Sequence, residues 1–528
     1  MRLALYNAII YVDPGHFEEA LLVEDGIITQ VGSNEVILAR EADEIIDCET
    51  HTLIPGLNDS HSHLMMVSAL REQVQLLDAS SIEDVLERCR QYLSEHPDVS
   101  VLAGMGWNPA QFTEGPVRNL TRHDLDLISN DIPILLTRAC GHLISTNTKA
   151  LELAGVTRKT AQVPGGVFEF DDDGPNGIFY ENAQQLIEHL QPSLDGEAML
   201  EVLKKSMHYA LSLGITTVQT NDLGLFLPVR EAIDIYENLY ASEEPVMKTH
   251  HQICFESPDE VNEFMMTVGD RSLPSQMTLG PIKLFKDGTL GGRSALLSEG
   301  YADNPSNVGV DVLPKDQTMP WIEVARRHRL PVIAHCIGDQ AILDMLDCYE
   351  PLTKADRWGL VHCQITRPSV LERMAQAGAI AFIQPIFLRS DIPAMQGVIP
   401  YDLQQTSYAW KSMLKLGIPI AIGTDAPIED LNPFANLYWA IERRDPNRRS
   451  DGLNPNERLS IEEAVDAYTL GSAYAEGKEG RKGRLKPGYQ ADMVLLDRNI
   501  FSIAATEILH TRVQKTFVDG RLVYEANE

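Results

Sequence analysis

Two histidines, His61 and His63, stand one residue apart after the turn Pro55-Gly56 and an apolar run. Residues two apart on a β-strand project to the same face. A His-x-His pair at a strand end therefore aims two neutral nitrogens at one point, a grip suited to a zinc-type divalent ion. Among fifteen histidines the pair alone identifies nothing. Three more metal-competent side chains close apolar runs: His335 in Ala334-His335-Cys336, His362 in Val361-His362-Cys363, and Asp425 in Gly423-Thr424-Asp425-Ala426-Pro427. Singly, either histidine reads equally well as a buried structural residue, and Asp425 as a helix N-cap ahead of Pro427. Together at four strand ends they describe one ligand set. A further run carries Lys283 and Lys286. An ammonium has no lone pair to offer a metal, but a lysine carboxylated by CO₂ presents a carboxylate that two metals can share. Strand parity puts Lys283 and Lys286 on opposite faces, so at most one points inward.

Such a convergence needs a scaffold whose strands all end on one side. Eight apolar runs fit, at residues 53–63, 215–220, 246–253, 282–287, 331–336, 359–363, 379–385 and 419–425, with helix-like segments between them. This alternation is the grammar of βα units. Eight of them predict an α/β fold, a (β/α)8 TIM barrel with its active site at the C-terminal ends of the strands. Residues 1–55 read instead as short strands with a hairpin turn at Asp25-Gly26, and residues 484–528 repeat that pattern with Asp519-Gly520. The two ends predict one composite β-sandwich domain flanking a barrel at 56–483. The first interval is far longer than the others and holds strand-like stretches of its own at 101–106 and 133–137. Residues 70–205 are thus expected to form an inserted subdomain over the barrel mouth.

Bulk properties narrow the partners. Against 44 Lys plus Arg stand 76 Asp plus Glu, a net charge of −32, which argues against nucleic acid or an anionic membrane, since phosphate needs a basic footprint. No run approaches the ~18 consecutive apolar residues of a membrane helix. The opening residues 1–12 run into Asp13-Pro14-Gly15 without a small-residue cleavage site and read as a strand rather than a signal peptide. Seven cysteines without a C-x-x-C spacing suit a reducing, cytoplasmic setting. A small-molecule substrate is expected, and a homodimer is compatible with this reading. Neither a G-x-S-x-G elbow nor a phosphate-binding G-x-x-x-x-G-K-[ST] loop is present.

Longer phrases carry a family likeness. Ile54-Pro55-Gly56-Leu57-Asn58-Asp59-Ser60-His61-Ser62-His63, Lys283-Leu284-Phe285-Lys286-Asp287-Gly288, His335-Cys336-Ile337-Gly338-Asp339-Gln340-Ala341 and Gly423-Thr424-Asp425-Ala426-Pro427 resemble the amidohydrolase superfamily, in particular amidohydrolase family 3 with its N-substituted formamide deformylase-like members. Gly483-x-Leu485-x-Pro487-Gly488-x-x-Ala491-Asp492 resembles the family's closing segment, and Gly104-Met105-Gly106-Trp107-Asn108 with Gly141-His142 its insertion. The likeness covers essentially the whole chain. It implies a divalent metal, zinc by preference, as one or two ions held by His61, His63, His335, His362 and Asp425, with Lys283 as the carboxylated ligand of a two-metal site. Lys286 departs from the family pattern, which more usually has a small or apolar residue there.

The expected chemistry is hydrolysis of an amide or formamide C–N bond in a small molecule. A metal-bound water, its pKa lowered from 15.7 toward about 7, would supply hydroxide, and Asp425 would move the proton from water to the leaving amine. Trp107, Phe112 and His142 from the insertion, and Arg293 beyond the fourth run, are candidate substrate contacts. Asp339 suits either a hold on an imidazole or a helix start. A deaminase of a ring C–N bond on the same fold is the nearer rival, and a catalytically idle binding or regulatory relative is the other.

Overall fold

The computed structural model describes residues 1–527 apart from 110–111, 140, 142, 193, 195, 242–246, 269–271 and 448–449. The chain divides into two compact units, Met1–Met65 with Leu203–Glu528, and Met66–Val202. At the heart of the first unit lie eight parallel strands, each hydrogen-bonded to the next in chain order: β1 (Leu57–Ser62), β2 (Ile215–Leu223), β3 (Lys248–Ile253), β4 (Met277–Phe285), β5 (Val332–Cys336), β6 (Gly359–His362), β7 (Ile380–Ile383) and β8 (Ile420–Ile422). They form the TIM barrel that the alternating pattern predicts. Most of their residues are buried, as expected of parallel strands covered on both faces.

The seam between β8 and β1 is closed by the loop after β8. The Asp425 N–H donates to the His61 carbonyl at 2.7 Å, and the His63 N–H donates to the Ala426 carbonyl at 2.8 Å. From within β1, the Asp59 carboxylate accepts from the Thr424 hydroxyl at 2.6 Å and the Thr424 N–H at 3.1 Å. One predicted run divides here. The apolar pattern at 53–63 predicts a single strand, but Thr52–Pro55 belongs to another sheet and β1 starts at Leu57. Gly56 makes the crossing possible, because a Cβ there would sit 2.2 Å from the Thr216 Oγ1.

Both termini build the remaining sheets of this unit. One has four strands in the order Ile27–Gly32, Ala20–Glu24, Arg2–Tyr6, Glu44–Asp47. The other has six, in the order Arg521–Glu525, Val513–Val518, Met493–Leu496, Thr52–Pro55, Ile9–Asp13, His16–Glu18. Leu3, Leu5 and Leu21 from the first sheet share a buried cluster with Ile10, Leu53, Met493 and Phe517 from the second. The apolar run at 4–12 is therefore two strands in different sheets, parted at Asn7, whose φ is 56°. Both expected hairpin turns have paired positive φ, 47° and 82° at Asp25-Gly26 and 48° and 71° at Asp519-Gly520, the twist that suits antiparallel neighbours.

The second unit, Met66–Val202, has its own six-stranded sheet in the order Gly166–Asp171, Gly174–Glu181, Leu143–Thr146, Ile134–Arg138, Leu102–Trp107, Val74–Gln75. Its core gathers Leu86, Leu102, Trp107, Phe112, Leu136 and Ile178. Among the described residues, no helix is long and apolar enough to cross a membrane.

Lys248, opening β3, ties the barrel to the terminal sheets. Its Nζ lies 2.9 Å from both Asp492 oxygens and 2.7 Å from the Asp519 Oδ1. Removing one partner of a buried pair strands the other charge, at a cost of about 3–5 kcal/mol. Lys248→Met should therefore lower the thermal midpoint far more than a surface change such as Arg90→Met, which breaks only exposed pairs with Glu83 and Glu87. Equal shifts for the two variants would show that the tie contributes nothing special.

Candidate metal centre

The strand ends bring five predicted ligands together. Asp425 Oδ1 lies 3.0 Å from the His63 Nε2 and 3.4 Å from the His61 Nε2. The ligand atoms of these three residues all fall within 4.8 Å of one another. The His362 ring centroid is 6.0 Å from that of His61 and 4.4 Å from that of His335. Lys283, on β4, is buried with its Nζ 3.7 Å from the Phe285 ring centroid, and its charge acts on all four imidazoles. Among the described residues Lys283 has no ion-pair partner. Lys286 faces elsewhere: its Nζ bonds the Asp311 Oδ1 at 2.5 Å and the Leu313 carbonyl at 2.9 Å. Of the two lysines, only Lys283 is turned toward the imidazoles.

The turns that present these groups are strained. His362, Cys363 and Asp425 have φ of 81°, 48° and 58°, in the left-handed region that costs a non-glycine residue about 1–3 kcal/mol. Each stands where the chain leaves a strand, so the side chain is aimed by a bend that regular β geometry does not allow.

Each imidazole is also fixed by an acceptor at its other nitrogen. The His61 Nδ1 meets the Gln252 Oε1 at 2.5 Å, and the His362 Nδ1 meets the Gln384 Oε1 at 2.8 Å. The His63 Nδ1 faces the Asn221 carbonyl at 3.2 Å, and the His335 Nε2 faces the Gly288 carbonyl at 3.2 Å. Amide oxygens only accept, so each facing nitrogen carries the proton. The opposite nitrogen, Nε2 in His61 and His362 and Nδ1 in His335, then keeps its lone pair. Gln252 and Gln384 are not among the residues anticipated from sequence; their signal is a polar amide at or beside a strand end, the same place that marks the ligands, while at Asn221 the backbone carbonyl accepts and the side chain gives no signal.

The charge states suit a cation. Burial pushes the His61 imidazole down to about 3 and the His335 imidazole to about 4, and it holds His362 well below its ordinary value. Burial likewise lowers Lys283. Burial presses on His63 too, but the hydrogen bond and charge of Asp425 raise it. Burial works against the Asp425 carboxylate, yet the imidazoles of His61, His63 and His362 outweigh it and keep the group well below the usual carboxylate range. The result is three neutral nitrogen donors and one ionised carboxylate. Imidazole nitrogens and one carboxylate converging in a buried site fit a metal of the zinc type, which His61, His63 and Asp425 would hold.

The remaining candidates are placed as follows. Trp107 and Phe112 lie in the core of their own unit, with the Trp107 Nε1 donating to the Leu136 carbonyl at 3.1 Å. Arg293 is half-exposed and its Nε pairs with the Asp303 Oδ2 at 2.7 Å. His142 lies outside the described residues. Of the two readings of Asp339 the helix start holds: it is the first residue of the helix Asp339–Tyr349, after the cap position at Gly338, and its carboxylate accepts from the Ser298 N–H at 2.9 Å and the Arg367 Nε at 2.8 Å rather than from an imidazole.

A family model described as "Amidohydrolase family" matches residues 44–524. YtcJ of Bacillus subtilis (strain 168) is 32% identical over 99% of this chain and 100% of its own. The N-substituted formamide deformylase of Arthrobacter pascens is 25% identical over 96% of this chain and 95% of its own. Among solved structures, an uncharacterized metal-dependent hydrolase from Pyrococcus horikoshii, 26% identical, matches with a TM-score of 0.78 over 96% of this chain and 99% of its own.

A pH dependence follows from the imidazoles. Groups whose folded pKa lies below the ordinary 6.5 contribute stability that is present above pH 6.5 and lost as the pH falls toward about 4. His63, raised by Asp425, acts in the opposite sense: its contribution is present below pH 6.5 and lost as the pH climbs through its raised value. With three depressed and one raised, the melting temperature of metal-stripped protein should fall between pH 6.5 and 4. A flat or rising profile in calorimetry would contradict the neutral donor set.

Proposed function

Because the chain belongs to the amidohydrolase family and is a metal-dependent hydrolase, we propose that it hydrolyses an amide or formamide C–N bond in a small molecule. Asp425 is the general acid and base of this reaction. The observation that carries the reading is the Asp425 Oδ1, ionised and 3.0 Å from the His63 Nε2 at the mouth formed by β1 and β8. The resemblance to the Arthrobacter deformylase supports the choice of bond.

His61, His63, His335, His362, Asp425 and Lys283 would hold one or two divalent ions, with zinc the choice that imidazole and carboxylate donors favour. When bound, such an ion acts as a Lewis acid and brings the pKa of water toward about 7. Asp425 takes a proton from the attacking water as the new C–O bond forms. It then gives that proton to the nitrogen as the C–N bond breaks, so one carboxylate serves both steps and ends as it began. The products are a carboxylic acid, formic acid for a formamide, and an amine. Neutral imidazoles at His61, His335 and His362 leave Asp425, with the His63 imidazole bonded to it, to carry the proton at this site.

Lys283 supports a two-metal reading. A buried amine held low in pKa, with no ion-pair partner among the described residues, is nucleophilic toward CO₂: the Nζ–C bond forms, one proton leaves, and a carbamate takes the place of an uncompensated cation. The six described cysteines are all unpaired, which supports a reducing, cytoplasmic setting.

Asp425→Asn should retain bound metal and lose turnover of an N-substituted formamide by about a thousandfold or more, measured with metal content on the same samples. Chelation should abolish activity in the native chain and added zinc should restore it. Near-normal turnover in Asp425→Asn would overturn the assigned role. Two ions per chain with carboxylated Lys283 support the amide reading, while one ion with an unmodified lysine points to the ring deaminase.

A further inference from the structure

The predicted ligands lie at the ends of β1, β4, β5, β6 and β8. Two of the other three carry a side-chain amide turned to an imidazole, Gln252 next to the last residue of β3 and Gln384 just beyond β7, whereas on β2 it is the backbone carbonyl of Asn221 that faces His63. We propose that Gln252 and Gln384 are positioning residues of the metal centre, each locking one imidazole in the tautomer that presents a bare Nε2. The proposal rests on the reading that His61 and His362 hold a metal.

A carboxamide can ordinarily turn over and offer either its oxygen or its nitrogen. Here neither is free to do so. The Gln252 amide N–H donates to the Ser60 carbonyl at 2.9 Å, and the Gln384 amide N–H donates to the Phe382 carbonyl at 3.3 Å. With each nitrogen committed to a backbone acceptor, each oxygen must face its imidazole, at 2.5 Å for His61 and 2.8 Å for His362. Both glutamines are at most 3% exposed, so water does not compete for these bonds. The same device occurs on β3 and just beyond β7: the backbone acceptor is Ser60 on β1, two strands away, for Gln252, and the residue two positions back for Gln384. A neutral amide orients the ring without pressing charge through it. A carboxylate there would draw the Nδ1 proton toward itself and make the imidazole a stronger electron donor. The amide therefore leaves more positive charge on a bound ion, which favours polarising a carbonyl.

The test uses the full chain. In metal-stripped protein labelled with ¹⁵N-histidine, nitrogen shifts should place the proton of His61 and His362 on Nδ1. Gln252→Met and Gln384→Met keep the bulk and remove the acceptor, and each should weaken Zn²⁺ binding, measured by competition with a chromophoric chelator, by about 10–100-fold. Gln252→Glu and Gln384→Glu restore an acceptor and should bring the affinity back to within a few-fold of the native chain. A purely structural role would lower the melting temperature of the metal-free methionine variants without this split in Zn²⁺ affinity. Methionine variants that fold and bind Zn²⁺ like the native chain, or native imidazoles protonated on Nε2, would overturn the proposal. Should the methionine variants not fold, the tautomers of the native chain decide. A native chain that binds no Zn²⁺ overturns the metal reading itself, a failure the tautomer measurement keeps separate.

Discussion

Asp59 lies inside β1 with no exposed surface, and burial raises its carboxyl to about 7. Donors from both sides of the barrel seam work against that penalty: the Thr424 hydroxyl and N–H, the His61 N–H at 3.2 Å and the Tyr468 hydroxyl at 3.3 Å. An isolated buried carboxylate would be far too costly, and these donors would be orphaned without it. Because Thr424 and His61 share one acceptor, the loop after β8 is held against the end of β1. Asp425, next in chain to Thr424, is thereby delivered to the Nε2 atoms of His61 and His63. The ligand set depends on this closure, since residues hundreds of positions apart meet only where the first and last strands are pinned.

Much of that arrangement is legible in the chain. The His-x-His pair, His335, His362 and Asp425 all stand at the ends of strand-like runs, and Lys283 and Lys286 part as expected, although Lys286 lies just past the end of β4 rather than on its opposite face. The barrel is legible because strand-like runs alternate with helix-like segments, the pattern of βα units, even though strands such as Lys248–Ile253 are rich in polar residues. The misreadings share a cause as well. Residues 4–12 and 53–63 each read as one strand yet contribute to two sheets, because the chain turns at Asn7, whose φ is 56°, and at Pro55-Gly56.

Gln252 and Gln384 are illegible for a different reason. An amide at a strand end is an ordinary residue until its partner is known, and the partners here lie on other strands. Asp339 shows the converse. Four residues from His335 it looks like a companion to the imidazole, but the helix beginning at Asp339 carries it toward Ser298 and Arg367. Trp107 likewise carries a family phrase while filling the core of its own unit. Ligand identity is written locally, whereas the orientation of each ligand is set by residues remote in sequence.

The strand Thr52–Pro55 pairs on one side with Ile9 and Ile10 and on the other with Met493–Leu496, and only Gly56 separates it from β1. During synthesis the N-terminal half of this sheet waits for its last strands, across a loop of more than four hundred residues. Loop closure grows only logarithmically with length, so the wait costs little free energy, but it orders events in time. The strand that carries His61 is tethered to a sheet that cannot be completed until residues 493–525 have been made. The chain thus keeps its first two proposed metal ligands, His61 and His63, next to a sheet whose remaining strands are made more than four hundred residues later.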